Sequence, residues 1–192
     1  MLELKRIYWT RLSLRLAMTG LTVWIFAAGI LALMPNASSP AAGQRAATVT
    51  AVFTQMFDGV LASVALPAVL VVVLTVTAAV IQARDIRRRD PVRRFTRQQR
   101  REGMARARGL CELEAGFGRR CGRPAEHGDH FYPWSKGGST RLQNFVAACS
   151  TCNRAKGARI PTPAQQERLE RRRLAYVASG ADVMAGERRE LP

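Results

Sequence analysis

Two long uncharged apolar segments constrain the fold of this 192-residue chain more than any other feature. Residues 16–34 and 59–83 carry no charged side chain and are mainly aliphatic. A helix of about 20 apolar residues is long enough to span the hydrocarbon core of a bilayer. A buried core helix is the alternative for each segment, but neither has the polar stripe of a helix that packs on a soluble core. The sequence therefore predicts a membrane anchor over residues 1–83 with two transmembrane helices.

Basic residues flank this pair of segments on both sides. They precede the first segment at Lys5, Arg6, Arg11 and Arg15, and follow the second at Arg84, Arg87, Arg88, Arg89, Arg93 and Arg94. The connection, residues 35–58, has only two charged residues, Arg45 and Asp58. Because cytoplasmic flanks are enriched in Lys and Arg, both termini are predicted to be cytoplasmic. A cleaved signal peptide is the alternative for the first segment. It leaves the C-terminal half on the same side, because the second segment then stops transfer.

The chain is strongly basic, with 30 Lys and Arg against 14 Asp and Glu and a formal net charge of +16. This balance favours a polyanionic partner, either nucleic acid or anionic lipid. Residues 84–108 are predicted to form a basic juxtamembrane segment. Within it, Asp90 followed by Pro91 predicts a helix from Asp90 to about Glu102. Its arginines either only fix the topology against anionic lipid or also guide nucleic-acid phosphates.

All four cysteines lie in the half predicted to be cytoplasmic, where disulfides are disfavoured. Cys111, Cys121, Cys149 and Cys152 are therefore predicted to form a tetrahedral zinc site. Cys149-x-x-Cys152 has ordinary zinc-knuckle spacing, whereas the nine residues between Cys111 and Cys121 have to form a loop. The alternative is that Cys111 and Cys121 are small buried thiols. A structural metal fits this region, because a unit of this size with little hydrophobic core usually needs one.

Several short motifs lie between residues 109 and 160. In chain order they are Asp129-His130, Pro133-x-Ser135-Lys136-Gly137-Gly138, Asn144, and Cys149-x-x-Cys152-Asn153-x-x-Lys156-Gly157. In combination they resemble the HNH endonucleases, whose active site is a ββα-metal finger. The resemblance implies a small α+β domain over residues 109–160. We expect a first strand over residues 125–132, a second over 145–148, and a short helix that begins near Ser150 and stops at Gly157.

The resemblance also implies roles for individual residues. His130 is the expected general base, since an imidazole can accept a proton from water near neutral pH. Asp129 and Asn153 are the expected ligands of a catalytic divalent cation, and Asn144 is expected to hold the loop and orient the base. Many relatives have histidine where this chain has Asn153, and the oxygen ligand favours Mg²⁺ or Mn²⁺.

Further basic residues lie close to these motifs in sequence. Lys136, Arg154 and Lys156 are candidate phosphate contacts, and each could equally be solvated. His127, the only other histidine, is expected to be an exposed strand residue.

Residues 161–192 are predicted to form a basic helix and a tail. Thr162 with Gln165 forms a capping-box pattern, and Pro163 fits the first helical position. The helix is expected to end near Ser179, before Gly180, and to pack on the finger or contact DNA. The tail from Ala181 is predicted to be disordered.

Taken together, these patterns predict a membrane-anchored HNH endonuclease that cleaves DNA in the cytoplasm. The expected partners are the lipid bilayer and nucleic acid, with double-stranded DNA as the substrate. A membrane-tethered zinc module that binds nucleic acid or protein without cleavage is the alternative. The combined presence of Asp129, His130, Asn144 and Asn153 favours the enzyme, because a binding module does not need all four. A sensor role for the two apolar segments is a further alternative, but the sequence offers no ligand site for it.

Overall fold

The structure is a computed structural model and describes residues 2–33, 49–116, 118–178 and 182–190, with side chains at residues 4–30 and from residue 65 onward. The chain divides into two compact units, Arg11–Val80, and Met1–Thr10 together with Ile81–Pro192. The regular elements are α1 (Leu2–Leu33), α2 (Val49–Arg87), α3 (Arg97–Arg106), β1 (His127–His130), β2 (Phe145–Ala148), α4 (Ser150–Lys156) and α5 (Pro163–Arg173).

The two predicted apolar helices are present as α1 and α2. Each contains a stretch long and apolar enough to cross a membrane, Leu4–Ile30 and Ala65–Arg87. Large apolar side chains on both are exposed, including Phe26 at 70% and Val72 at 61%. Threonine hydroxyls in these helices donate to carbonyls one turn earlier, which satisfies their hydrogen bonds within the helix. Both helices therefore have the length and surface that a bilayer requires.

Both helices extend beyond the predicted apolar segments. The polar flank before residue 16 is part of α1, and α2 continues to Arg87. Residue 34 and the first part of the predicted connection lie outside the described residues, whereas its second part is helical from Val49.

The predicted ββα arrangement is confirmed. Strands β1 and β2 pair antiparallel, with His127 opposite Ala148 and His130 opposite Phe145. Strand β2 and helix α4 have the predicted bounds, and α4 is followed by Gly157 as its C-cap. Strand β1 is shorter than the predicted residues 125–132, because its regular pairing with β2 covers only four residues.

The two-stranded sheet is covered on both faces. Since successive residues of a strand point to opposite faces, Phe145 and Val146 enter different cores. Val146 packs with Phe131, Leu169 and Ala185, which come from outside the sheet.

Phe145 lies on the opposite face, in the cluster that contains Ala107 and Met104. A Cβ built on Gly103 would lie 2.3 Å from its ring, and one built on Gly128 2.2 Å. Both glycines thus allow backbone to approach the ring directly. Burial of a Phe side chain contributes about 1.5–3 kcal/mol.

Helix α3 does not begin where the sequence predicted. It starts at Arg97, with Thr96 and Gln99 forming the capping box, and it continues through Gly103. The predicted bounds of Asp90 to Glu102 are therefore wrong. The carboxylate of Asp90 accepts hydrogen bonds from the backbone N–H of Val92 and of Thr140 instead of capping a helix.

The C-terminal prediction is correct at its start and wrong at its end. Helix α5 has the predicted capping box at Thr162, but it ends at Arg173 rather than near Ser179. Arg173 forms a fully buried ion pair with Glu112, with Nε 3.0 Å from Oε1. Tyr176 donates its hydroxyl to the same carboxylate at 2.8 Å. Because Arg173 and Tyr176 both bind the buried carboxylate of Glu112, this carboxylate holds the turn that follows α5.

The predicted disordered tail is also wrong for residues 182–190, although residues 179–181 and 191–192 lie outside the described residues. Ala185 is fully buried in the core. Arg188 forms a β-bridge with Gly138, and Ser139 N–H donates to the carbonyl of Glu187 at 3.1 Å. The tail is held because it completes both a core and the backbone bonding of the loop between the strands.

Candidate active site and metal centre

The predicted general base lies at the end of β1, where it meets the loop that leads to β2. His130 is buried, with 9% of its surface exposed. Its ring packs on Phe95, with centroids 4.4 Å apart and planes tilted by 31°. The imidazole is therefore held between the sheet and the segment that precedes α3.

The hydrogen bonds around His130 define its tautomer. The hydroxyl of Thr140 donates its single hydrogen to the carbonyl of Val92. Toward His130, Thr140 Oγ1 can therefore only accept, and it lies 3.2 Å from Nε2. The hydrogen of the neutral ring is thus on Nε2, and Nδ1 carries the lone pair.

Burial determines the protonation state of His130. It lowers the pKa of the imidazole to about 4, although the charge of Asp129 opposes the shift. The ring is therefore neutral near pH 7, but it is a weaker proton acceptor than the near-neutral pKa expected from the sequence would make it.

Asn144 is fully buried and holds the loop between the strands. Its Oδ1 accepts from the backbone N–H of Tyr132 at 2.7 Å and of Glu187 at 3.3 Å. Its Nδ2 donates to the carbonyls of Tyr132 at 3.0 Å and Ser139 at 2.8 Å. The amide thus ties both ends of the loop to the C-terminal segment.

Asp129 faces helix α4 through Lys156. The ammonium of Lys156 lies 2.7 Å from Asp129 Oδ2 and also donates to the carbonyl of His130 at 2.7 Å. Asn153 lies one turn earlier on α4 and is half-buried. Residues three apart on a helix share a face, so Asn153 belongs to the face that Lys156 directs toward Asp129. A carboxylate and an amide oxygen are suitable ligands for a hard divalent cation.

The four cysteines converge on one point. Their Sγ atoms all lie within 4.8 Å of one another, and those of Cys121 and Cys149 are 3.9 Å apart. A tetrahedron with Zn–S bonds of 2.3 Å has sulfur atoms about 3.8 Å apart. All four are free thiols, and three of them are buried. The donor set and its spacing therefore fit one structural zinc ion.

The unusual spacing of the first two cysteines has a simple structural basis. The chain between Cys111 and Cys121 turns back on itself, with a β-bridge between Glu114 and Arg120. Cys121 N–H donates to the carbonyl of Leu113 at 2.8 Å. The hairpin brings the thiol of Cys121 back to that of Cys111. In the common motif, a Cys-x-x-Cys turn brings the first two thiols together.

Burial and hydrogen bonds shift the pKa values of three of the four thiols in different directions. Burial raises the pKa of Cys111, and it raises that of Cys152 to about 12. Burial also opposes ionisation of Cys121, but hydrogen bonds from Arg123 outweigh it and lower that pKa to about 6. Binding of a metal ion would remove the protons of the buried thiols, so the affinity of the cluster for zinc should rise with pH.

The candidate phosphate contacts differ in their surroundings. Arg154 is exposed and Lys136 half-exposed, so both can reach a bound polyanion. Lys156 is engaged by Asp129, and its side chain is only 11% exposed. His127 is exposed at the start of β1, as expected.

Three residues of the site were not predicted from sequence. Thr140, Phe95 and Asp90 contact His130 or its partners, and only Thr140 lies within the motif region. The Asp90-Pro91 pattern predicted a helix start at Asp90, but it did not predict the hydrogen bond that Asp90 accepts from Thr140.

A two-stranded antiparallel sheet followed by a helix, with Asp129 and His130 at the end of the first strand, is the arrangement expected of a ββα-metal finger. The family model for HNH endonuclease matches residues 119–159. The match confirms the resemblance for this part of the chain and indicates a metal-dependent nuclease domain with a nucleic-acid substrate. No curated protein and no solved structure matches the chain.

Proposed function

We propose that the protein is a membrane-anchored endonuclease that hydrolyses double-stranded DNA in the cytoplasm with the help of a divalent cation. The observation that carries this proposal is the state of His130. Its buried imidazole is held at Nε2 by Thr140 and packs on Phe95, and the residue directly follows Asp129, whose carboxylate is bound by Lys156 of α4. A module that only binds DNA does not need a buried, oriented base.

In the proposed reaction, Nδ1 of His130 takes a proton from a water molecule that attacks the phosphorus atom. Asp129 and Asn153 would hold Mg²⁺ or Mn²⁺, and that ion would stabilise the charge on the phosphate and on the leaving 3′ oxygen. Lys156 orients the Asp129 carboxylate, and Asn144 keeps the loop closed around the base. By the family resemblance, the products carry 5′-phosphate and 3′-hydroxyl ends.

The exposed arginines of the juxtamembrane segment support a polyanionic substrate. Arg93, Arg94, Arg97, Arg100, Arg101 and Arg108 are all exposed. Each phosphate that such a side chain neutralises releases counterions, which strengthens binding at low salt. Arg93 also lies over the ring of Trp134, with Cζ 5.2 Å from the centroid.

Cleavage of supercoiled plasmid by the full-length protein in detergent micelles tests the function. We expect relaxation of the plasmid with Mg²⁺ or Mn²⁺ and none with excess chelator. Loss of a metal's outer-shell partner typically costs about 10–100-fold in affinity or activity. Asp129→Asn, which removes a ligand charge, is therefore expected to raise the Mn²⁺ concentration for half-maximal cleavage by at least about tenfold.

The control is Asp182→Asn, at an exposed aspartate of the C-terminal segment, which should behave as the wild type. Binding of DNA by the wild type without cleavage under any metal would favour the tethered binding module. Cleavage that persists in chelator would contradict a metal-assisted mechanism.

Membrane topology gives an independent prediction. A reporter fused after Pro192 is expected to be active only if it functions in the cytoplasm, and one inserted at Gly43 only if it functions outside. Because burial of apolar spans is insensitive to ionic strength, the protein should stay in the membrane fraction through a high-salt wash. Release by salt would show that α1 and α2 do not span the bilayer.

A further inference from the structure

A short segment just after α2 contacts the proposed general base and the residues that bond to it. We define residues 90–95 as the strap. It begins three residues after α2 ends at Arg87, and it precedes the region matched by the family model. Three of its residues contact the base or its partners: Asp90, Val92 and Phe95.

The strap supplies the terminal acceptor of a hydrogen-bond chain from His130. Nε2–H of His130 donates to Thr140 Oγ1, and the Thr140 hydroxyl donates to the carbonyl of Val92. A carbonyl can only accept, so the direction of the whole chain is fixed. Without that acceptor, Thr140 could donate to Nε2 and stabilise the opposite tautomer.

Asp90 holds the two ends of this chain together. Its Oδ1 accepts from Val92 N–H and its Oδ2 from Thr140 N–H, both at 3.0 Å. The carboxylate thus bridges the residue that provides the carbonyl and the residue that provides the hydroxyl. Asp90 is itself anchored, since its own carbonyl accepts from Trp134 Nε1 at 2.8 Å.

The remaining contact of the strap is aromatic. Phe95 lies against the imidazole of His130 and meets Phe145 edge-on, with those ring centroids 5.0 Å apart. The base is therefore held by stacking and by the hydrogen-bond chain. Both restraints come from residues outside the two strands and α4.

We propose that Asp90 and Thr140 are positioning residues, which fix His130 in the Nε2–H tautomer so that Nδ1 faces the substrate. This inference rests on the proposed nuclease function. It means that the site is incomplete without the strap, and that the segment joining the apolar helices to the finger is part of the catalytic apparatus. If the strap only stabilised the fold, substitutions in it would change the free energy of unfolding but not the tautomer of His130.

The tautomer can be measured directly in the full-length protein. The chain has only 2 histidines, so ¹⁵N-histidine labelling gives two ring systems, and His127→Gln identifies the signals of His130. At neutral pH and without added divalent cation, we expect Nε2 of wild-type His130 to be protonated. Thr140→Val keeps the shape of the side chain but removes its hydroxyl, and it should populate the Nδ1–H form. Thr140→Ser should restore the wild-type signals.

Kinetics provide the second readout. Since Thr140 supports the base rather than the substrate, Thr140→Val should lower kcat on plasmid DNA by about 10–100-fold with little change in KM, and Thr140→Ser should recover most of the loss. Asp90→Asn should act in the same direction with a smaller effect, because an amide oxygen can still accept one of the two hydrogen bonds.

Ser139→Ala is the matched control. It removes the neighbouring buried hydroxyl, which donates to Glu187 and does not contact His130. The variant should have the same His130 tautomer and the same kcat as the wild type. A folded Thr140→Val protein with the wild-type tautomer and kcat would overturn the inference. If the wild type fails to cleave DNA but Thr140→Val still changes the tautomer, the positioning is supported and the nuclease function is contradicted.

Discussion

Replacing His130 by alanine is expected to reduce DNA cleavage by about 10²- to 10⁴-fold, the usual contribution of a general base. The other histidine cannot take over. His127 lies three residues earlier on the same strand, so its side chain points to the opposite face of the sheet. It is also exposed, whereas the site of His130 is enclosed by Phe95 and Thr140.

The measurement is the single-turnover rate of plasmid nicking by full-length protein with saturating Mg²⁺. His127→Ala is the matched control and should keep most of the rate. Because alanine leaves a gap beside Phe95, His130→Gln serves as a second variant that fills more of the space and retains a polar group near Thr140. Circular dichroism and zinc content should be unchanged in both. Nicking near the wild-type rate by folded His130→Gln and His130→Ala proteins would rule out this residue as the base.

The part of the site that was predicted from sequence is local. Asp129 and His130 are neighbours, and the register of β1 with β2 and the short α4 places Lys156 against them. Strand–turn–strand–helix segments of this length have few alternative arrangements. A combination of short motifs was therefore sufficient to predict the strands, the helix and the cysteine cluster.

The part that was missed depends on long-range contacts. Asp90 and Thr140 are 50 residues apart, and Glu187 and Asn144 are 43 apart. In sequence, Asp90 before Pro91 is as good a helix start as Thr96 with Gln99. The choice between them is made by tertiary structure: Asp90 Oδ1 accepts from Val92 N–H as an N-cap would, but Oδ2 is bound by the distant Thr140 N–H and the helix begins only after Thr96. Local propensity cannot contain that information.

The C-terminal segment shows the same limit. Residues 182–190 have few apolar side chains, and composition alone suggests disorder. The order comes from the buried Ala185, from backbone bonds to the loop between the strands, and from distant side chains such as Arg173, which donates to the carbonyl of Met184 at 2.7 Å. A hydrogen-bonding partner that lies more than forty residues away cannot be predicted from a local sequence pattern.

Loss of one cysteine of the cluster is expected to unfold the finger. Structural zinc contributes roughly 10–16 kcal/mol of apparent binding free energy in zinc-finger peptides, more than a domain of this size can replace by packing. Cys149 is central here, because its sulfur also caps α4 by accepting from Cys152 N–H at 3.5 Å. Cys149→Ser should therefore remove both the metal and the cap, with loss of cooperative unfolding and of bound zinc.

A pair of variants at Cys121 separates loss of zinc from loss of a buried sulfur. Cys121 is the least buried of the four, so a larger ring can be accommodated there. Since Cys₃His is an ordinary zinc donor set, Cys121→His should keep about one zinc per chain and a cooperative transition, while Cys121→Ser should lose both. Zinc is measured by mass spectrometry of the metal in purified full-length protein, and folding by thermal denaturation. Wild-type protein that folds cooperatively without zinc, or that contains a Cys111–Cys121 disulfide when isolated under reducing conditions, would contradict the zinc site and leave the cysteines as buried thiols.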